Sequence, residues 1–165
     1  VGDGGYSELS NPTQRLGLDC EGRLKITRWL WADADMTISQ GRINSLPKGS
    51  NYIPLAPNFT LTGGITMANF HGFDFSLRTI HIGSRPANED NTVTALGYTL
   101  INFGAACHWK RYTFSATIEN LLNTEWNEAQ FATETRMKWE SKPVDELHFT
   151  PGNPRNARLG VKVTF

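Results

Sequence analysis

Between residues 15 and 25 a charged side chain stands at almost every second position: Arg15, Asp19, Glu21, Arg23 and Lys25, interrupted by Gly17. Ionised groups of mixed sign in one row can hold water, pair with charges on a neighbouring strand, or line the path of a polar solute. Asp33 and Asp35 repeat the spacing, as do Glu119, Arg158 and Lys162 further on, and His108 occupies a comparable alternating position. Two other clusters fall in polar, turn-rich stretches. Arg85, Asn88, Glu89 and Asp90 form one; Glu125, Trp126, Glu128 and His148 form the other, where aromatic and charged groups together could grip a ligand. None of these sets makes a nucleophile elbow, a pair of acids in a shaped pocket or a phosphate-cradling loop, so no catalytic residue is expected. His71, His81, His108 and His148 have no second ligand type at i+2 or i+4, so neither a metal site nor a cofactor is expected. Cys20 and Cys107 also lack ligand spacing and fall on apolar faces, where they read as small apolar residues.

The elements that must position these groups are strands. In RLGLDCEGRLKI (15–26) the even positions Leu16, Leu18, Cys20, Leu24 and Ile26 are apolar, and a period of two sends them to the face opposite the charges. The same alternation runs through Leu30–Ile38, Phe59–Met67, Phe73–Ile82, Ile101–Trp109, Tyr112–Glu119 and Ala157–Phe165. In the fourth of these, Ile80 and Ile82 fall out of phase with Phe73, Phe75 and Leu77, and a bulge near Arg78 or Thr79 would absorb the slip. Seven strands of roughly 9 to 12 residues approach the length that crosses a bilayer when tilted. Their connections alternate. Tight breaks near 27–29, 69–72 and 110–111 carry aromatics (Trp29, Trp31, Phe70, Phe73, Trp109, Tyr112), while long breaks at 41–57, 84–97 and 121–154 are rich in Gly, Pro, Asn and charge. Short periplasmic turns, long extracellular loops and interfacial aromatics are the signature of an outer-membrane barrel. Within the last long break, NEAQFATETRMKW (127–139) is expected to form a short helix.

Bulk properties agree with a polar-lined wall. The formal charge is zero, from 16 basic and 16 acidic residues, which gives no field toward nucleic acid. Hydrophobic residues make up 39%, low for a globular chain, and no run is long enough for a spanning helix, which excludes a helical membrane protein but not a barrel. The opening residues show no basic n-region or cleavage site, so a targeting signal is expected to be absent or already removed, and residues 1–12 read as the remnant of an extracellular loop.

Four stretches resemble TonB-dependent outer-membrane receptors. ENLLNTEWNEAQF (119–131) is similar to the Asn-Leu-Phe-Asp box that ends their penultimate strand, with Leu122 and Asn123 replacing the usual Phe and Asp. PGNPRNARLGVKVTF (151–165) resembles their final segment, and IPLAPNFTLTGGITM (53–67) a recurrent strand opening with Asn58 where His is usual. GLDCEGRLKITRWLWADADMT (17–37) resembles the strand–turn–strand before it. The resemblance implies an importer of about 22 strands enclosing an N-terminal plug, energised through the TonB complex. Its ligands would be ferric siderophores, haem, cobalamin, other metal chelates or oligosaccharides. Residues 13–165 would then be the last seven strands, an all-β, antiparallel, up-and-down transmembrane barrel segment. The plug and the remaining strands would lie elsewhere. The charged rows would face the lumen and plug, and the apolar rows would face outer-membrane lipid. Leu159, Val161, Val163 and Phe165 would carry the address read by the barrel-assembly machinery. Two other architectures fit the alternation: a complete eight-stranded barrel acting as an adhesin or structural protein, with one strand hidden in 125–150, and a soluble β-sandwich binding carbohydrate through its loops.

Overall fold

The computed structural model describes residues 11–165, so all but the last two residues of the expected loop remnant 1–12 lie outside the described residues. Eleven strands follow in order: β1 Thr13–Lys25, β2 Leu30–Ile43, β3 Phe59–Phe70, β4 Phe73–Ile82, β5 Arg85–Pro86, β6 Thr94–Ala95, β7 Tyr98–Trp109, β8 Tyr112–Glu119, β9 Asn127–Thr135, β10 Val144–Pro151 and β11 Asn156–Val163. Seven make one antiparallel sheet in the order β1-β2-β3-β4-β7-β8-β11, and these are the seven read from the alternation. The fold is all-β, with no helix among the described residues.

The register carries the alternation across the whole sheet. Leu18 lies opposite Ile38, Ile38 opposite Phe59, Leu77 opposite Phe103 and Phe114 opposite Val161, so apolar residues share one face. Nothing is packed on most of that face: Leu16 is 78% exposed and Leu159 87%, with Leu18, Ile65, Phe114 and Val161 also exposed. Phe59 is half-buried because its ring leans on His81, 5.4 Å between centroids. The accessible surface is 12046 Å², against roughly 8,200 Å² for a compact monomer of this mass, and among the described residues the buried apolar side chains are only Ile43, Pro86, Ala87, Ala95 and Leu100. One wide sheet with a bare apolar face is not a β-sandwich. Nor is it a closed eight-stranded barrel, because β1 and β11 do not pair with one another.

Two local expectations need correction. The segment 127–139 is not helical: Asn127–Thr135 is strand β9, paired antiparallel with β10 so that Phe131 faces His148 and Ala132 faces Leu147. Its apolar residues Ala129 and Phe131 are spaced by two, and Thr133 and Thr135 are β-branched, which favours a pleated surface. No bulge occurs at Arg78 or Thr79 either. β4 keeps one register against β7 from Phe73 to Ile82, and Ile80 and Ile82 simply cross to the face of Asp74 and Arg78. The irregularity lies at the tight end, between Met67 and Phe70, where Asn69 takes φ 53°.

The tight connections all gather at one end of the sheet. His71 and Gly72 both have positive φ, the conformation that a two-residue hairpin turn demands and that glycine meets without strain. Around these turns Trp29 packs on Phe70 at 4.4 Å and Trp109 on Tyr112 at 6.3 Å between ring centroids. The opposite end bears residues 44–58, 83–97 and 120–155, the last holding the separate β9–β10 hairpin and the second the short β5–β6 pair.

Candidate functional site

On the polar face, register brings distant charges into rows. One row runs Arg23, Asp33, Gly64, Arg78, Asn102 across five strands. With no side chain at Gly64, the Arg78 guanidinium reaches across β3 and donates to both carboxylate oxygens of Asp33, at 2.6 and 2.7 Å. A Cβ at Gly64 would collide with the Leu77 carbonyl and sit 2.9 Å from Arg78 Cδ. Arg78 escaped the sequence reading because its partner is 45 positions away, although its shared parity with Asp74 already put it on this face. The Arg78–Asp33 pair is half-exposed, so a double-alanine cycle in urea unfolding from lipid vesicles should show a small favourable coupling. Gly64→Val should cost more than either single change.

A second set sits by the tight turns. Asp74 accepts from the Asn69 amide at 2.6 Å and pairs with His108 Nε2 at 2.7 Å, while His108 Nδ1 meets the Thr113 hydroxyl at 3.2 Å. A third lies at the loop end, where Glu119 pairs with Arg158 and accepts from the Asn156 amide at 3.0 Å. Arg15, Asp19, Glu21 and Lys25 stand exposed on edge strand β1, with Glu21 opposite Asp35 and Lys25 Nζ 4.8 Å from the centre of the Trp31 ring. Lys162, opposite Thr113, completes the row on β11.

Where β8 ends, Asn120 is 3% exposed and adopts φ 51°. Its side-chain amide donates to the carbonyls of Thr124 (2.8 Å) and Asn153 (3.3 Å), its side-chain oxygen accepts from the Thr124 N–H (2.8 Å), and its own N–H donates to Asn102 Oδ1 (3.0 Å). Asn123, at φ 55°, accepts from the Arg155 N–H at 2.9 Å. Trp126 Nε1 donates to the Asn153 carbonyl at 3.0 Å, and its indole covers Gly152 so closely that no Cβ could be added there. Two of the recognised stretches, 119–131 and 151–165, are thus one hydrogen-bonded unit that returns the chain from its longest excursion into β11.

The loop residues singled out from sequence divide by role. Asn88 and Asp90 build their own turn: Asn88 accepts from the Val93 N–H (3.0 Å) and donates to Thr92 Oγ1 (2.7 Å), and Asp90 accepts from the Thr92 hydroxyl (2.8 Å). The Thr92 hydroxyl, and then its N–H, hold the Asp90 carboxyl below its ordinary value. Glu89 contributes its carbonyl to the Tyr52 N–H at 2.9 Å. Glu125 and Trp126 line a cleft of about 540 Å³ with Leu96, Phe149 and Pro151, and Trp126 packs on Tyr98 at 4.8 Å. Glu128, on β9, does not line it. His148 stacks on Phe131 at 5.7 Å; its Nε2 and Arg85 Nη1 are enclosed without hydrogen-bond partners. Among the described residues, no hydrogen bond or ion pair joins Arg85, Asn88, Glu89 or Asp90 to Glu125, Trp126, Glu128 or His148. On the side of the longer loop, the two loops meet through Gln130 and Asp145, which the sequence did not flag. Gln130, 4% exposed, accepts from the Leu96 N–H and donates to the Leu96 carbonyl, both at 2.8 Å, as a strand backbone would. Asn88 also donates to Asp145 at 3.4 Å.

No family model and no curated protein sequence matches the chain. Solved structures do. The ferric-catecholate import receptor Fiu from E. coli K12 matches over 99% of this chain with TM-score 0.73 and 17% identity. The ferric yersiniabactin uptake receptor FyuA from Yersinia pestis matches over 93% with TM-score 0.70 and 12% identity. BauA, the ferric preacinetobactin receptor from Acinetobacter baumannii, matches over 90% with TM-score 0.61 and 17% identity. The chain spans only about a quarter of each: 23%, 24% and 22%. Identities this low speak for the fold. The seven-stranded sheet, with its bare apolar face and its long loops at one end, has the fold of a β-barrel portion of TonB-dependent outer-membrane receptors.

Proposed function

We propose that this chain is a wall segment of an outer-membrane receptor for energy-coupled uptake of a scarce ligand, such as a ferric siderophore, haem, cobalamin or another metal chelate. The observation that carries the reading is the two-faced sheet: one face is apolar and uncovered over seven strands, while the other bears ordered rows of charge. A bilayer satisfies the first face and a wet, plug-filled lumen the second. Edge strands β1 and β11 would pair with the remaining strands of the barrel, since bare edges of this length invite association. Leu159, Val161, Val163 and Phe165, all exposed, are what the assembly machinery would read. The residues 83–97 and 120–155 would meet ligand first, with the Trp126 cleft as the aromatic contact, and the TonB complex would act through the plug.

Cysteine labelling on intact cells tests the topology. In a Cys20→Ala, Cys107→Ala background, Asn91→Cys and Lys138→Cys should react with a membrane-impermeant maleimide. Lys110→Cys and His71→Cys should react only after lysis. Equal labelling at both ends, or recovery of the protein without membranes, would refute the reading.

A further inference from the structure

On the apolar face, close to the tight turn that joins β7 and β8, the sheet surface dips. Ala105 and Ala116 lie opposite each other on β7 and β8 and are too short to fill the space between their neighbours. Phe73 and Phe75 wall the dip on one side, and Phe114 and Leu159 on the other, leaving a groove of about 310 Å³ whose surface is almost entirely carbon. The register fixes its direction. Ala105–Ala116, Cys107–Phe114 and Trp109–Tyr112 are successive pairs on this face, so the groove leads down to the stacked rings of Trp109 and Tyr112.

Beyond those rings the turn presents two adjacent cations, Lys110 and Arg111, both exposed. The Lys110 ammonium lies 5.4 Å from the centre of the Trp109 ring, and neither side chain is paired with an acid among the described residues. The nearby Asp74 belongs to the other face, where it is engaged by His108. No acidic residue alternates onto the apolar face of β4, β7, β8 or β11. An acyl-sized trough, an aromatic collar and an unneutralised double cation therefore follow one another along a single line. That order matches a phospholipid: hydrocarbon, then glycerol ester, then phosphate. Aromatic rings suit the ester level, and a cation beside the membrane surface attracts anionic headgroups.

We propose that this groove is a binding site for one anionic phospholipid of the periplasmic leaflet, with an acyl chain over Ala105 and Ala116 and its phosphate between Lys110 and Arg111. The proposal rests on the membrane reading above. A zwitterionic lipid would share the tail contacts but leave the pair of cations uncompensated.

The test uses the membrane-assembled protein, extracted in mild detergent, with native mass spectrometry against phosphatidylglycerol and phosphatidylcholine. One phosphatidylglycerol should remain bound at activation energies that strip phosphatidylcholine. Lys110→Gln with Arg111→Gln should lower phosphatidylglycerol retention about tenfold and erase the headgroup preference. Ala116→Phe, which fills the trough, should remove retention of both lipids while outer-membrane fractionation stays normal. Equal retention of the two lipids, unchanged retention in either variant, or a second copy of the chain in place of lipid would overturn the proposal. Should the protein fail to fractionate with the outer membrane at all, the membrane reading falls with it. Normal fractionation without retained lipid defeats the groove alone.

Discussion

Asn120→Ala should lower stability by about 2–4 kcal/mol in urea unfolding from lipid vesicles, and should loosen the return into β11 before the wall itself melts. The substitution removes both carbonyl contacts, to Thr124 and Asn153, from a buried side chain and leaves the half-buried Thr124 N–H without its acceptor. Each lost hydrogen bond costs on the order of 1 kcal/mol, and a stranded buried donor costs more. Alanine must also hold φ 51°, a left-handed conformation that asparagine tolerates better. Asn120→Asp keeps the acceptor for Thr124 but sets a buried carboxylate oxygen against the Thr124 and Asn153 carbonyls, so it should cost at least as much as alanine. A loss below about 0.5 kcal/mol, the usual range for an uninvolved surface site, would show that this clamp does not hold the loop.

Leu18→Arg should cost about 2–4 kcal/mol and sharply reduce the amount assembled in the outer membrane, the cost of a cation near the bilayer midplane on a lipid-facing strand. Leu18 is near the centre of the 13-residue strand β1, opposite Ile38, on the uncovered apolar face. Glu21→Gln, on the other face, should change stability by less than about 0.5 kcal/mol. Urea titration and membrane fractionation of the two variants side by side decide the face assignment. Equal tolerance would mean that Leu18 does not meet lipid.

The sheet was legible because a two-residue period is local. Leu16, Leu18 and Leu24 announce a face without reference to any other strand, and each tight turn marks where the next strand begins. Residues that act through distant partners were not legible. Arg78 is one polar residue among several on β4 until register places it beside a glycine and, beyond that, Asp33. Gln130 sits in a stretch whose short apolar residues and glutamates suit a helix; its amide finds Leu96, 34 positions away, only once the loops have folded together. The loop clusters were chosen for charge and aromatic character. The structure spends Asn88 and Asp90 on shaping their own turn and Trp126 on covering Gly152, demands set by backbone geometry rather than composition. Ile80 and Ile82 give the converse lesson. An apolar residue out of phase does not require a bulge, since both isoleucines are half-buried on the polar face with the register unbroken.

Asn156 lies directly opposite Glu119 in the β8–β11 ladder, so the chain leaves the sheet and comes back to it at neighbouring positions. The β8–β11 ladder therefore sees the two ends of residues 120–155, which Asn120 and Asn123 tie together, while the hairpin between them leans on the neighbouring loop through Gln130 and Leu96. Such an arrangement behaves as a cassette. Doubling the length of the intervening segment adds only about 0.6 kcal/mol of closure entropy. The β9–β10 hairpin could then be lengthened or recoded over generations while each strand of the barrel keeps its register, as long as the two asparagines and the Gln130 contact to Leu96 remain.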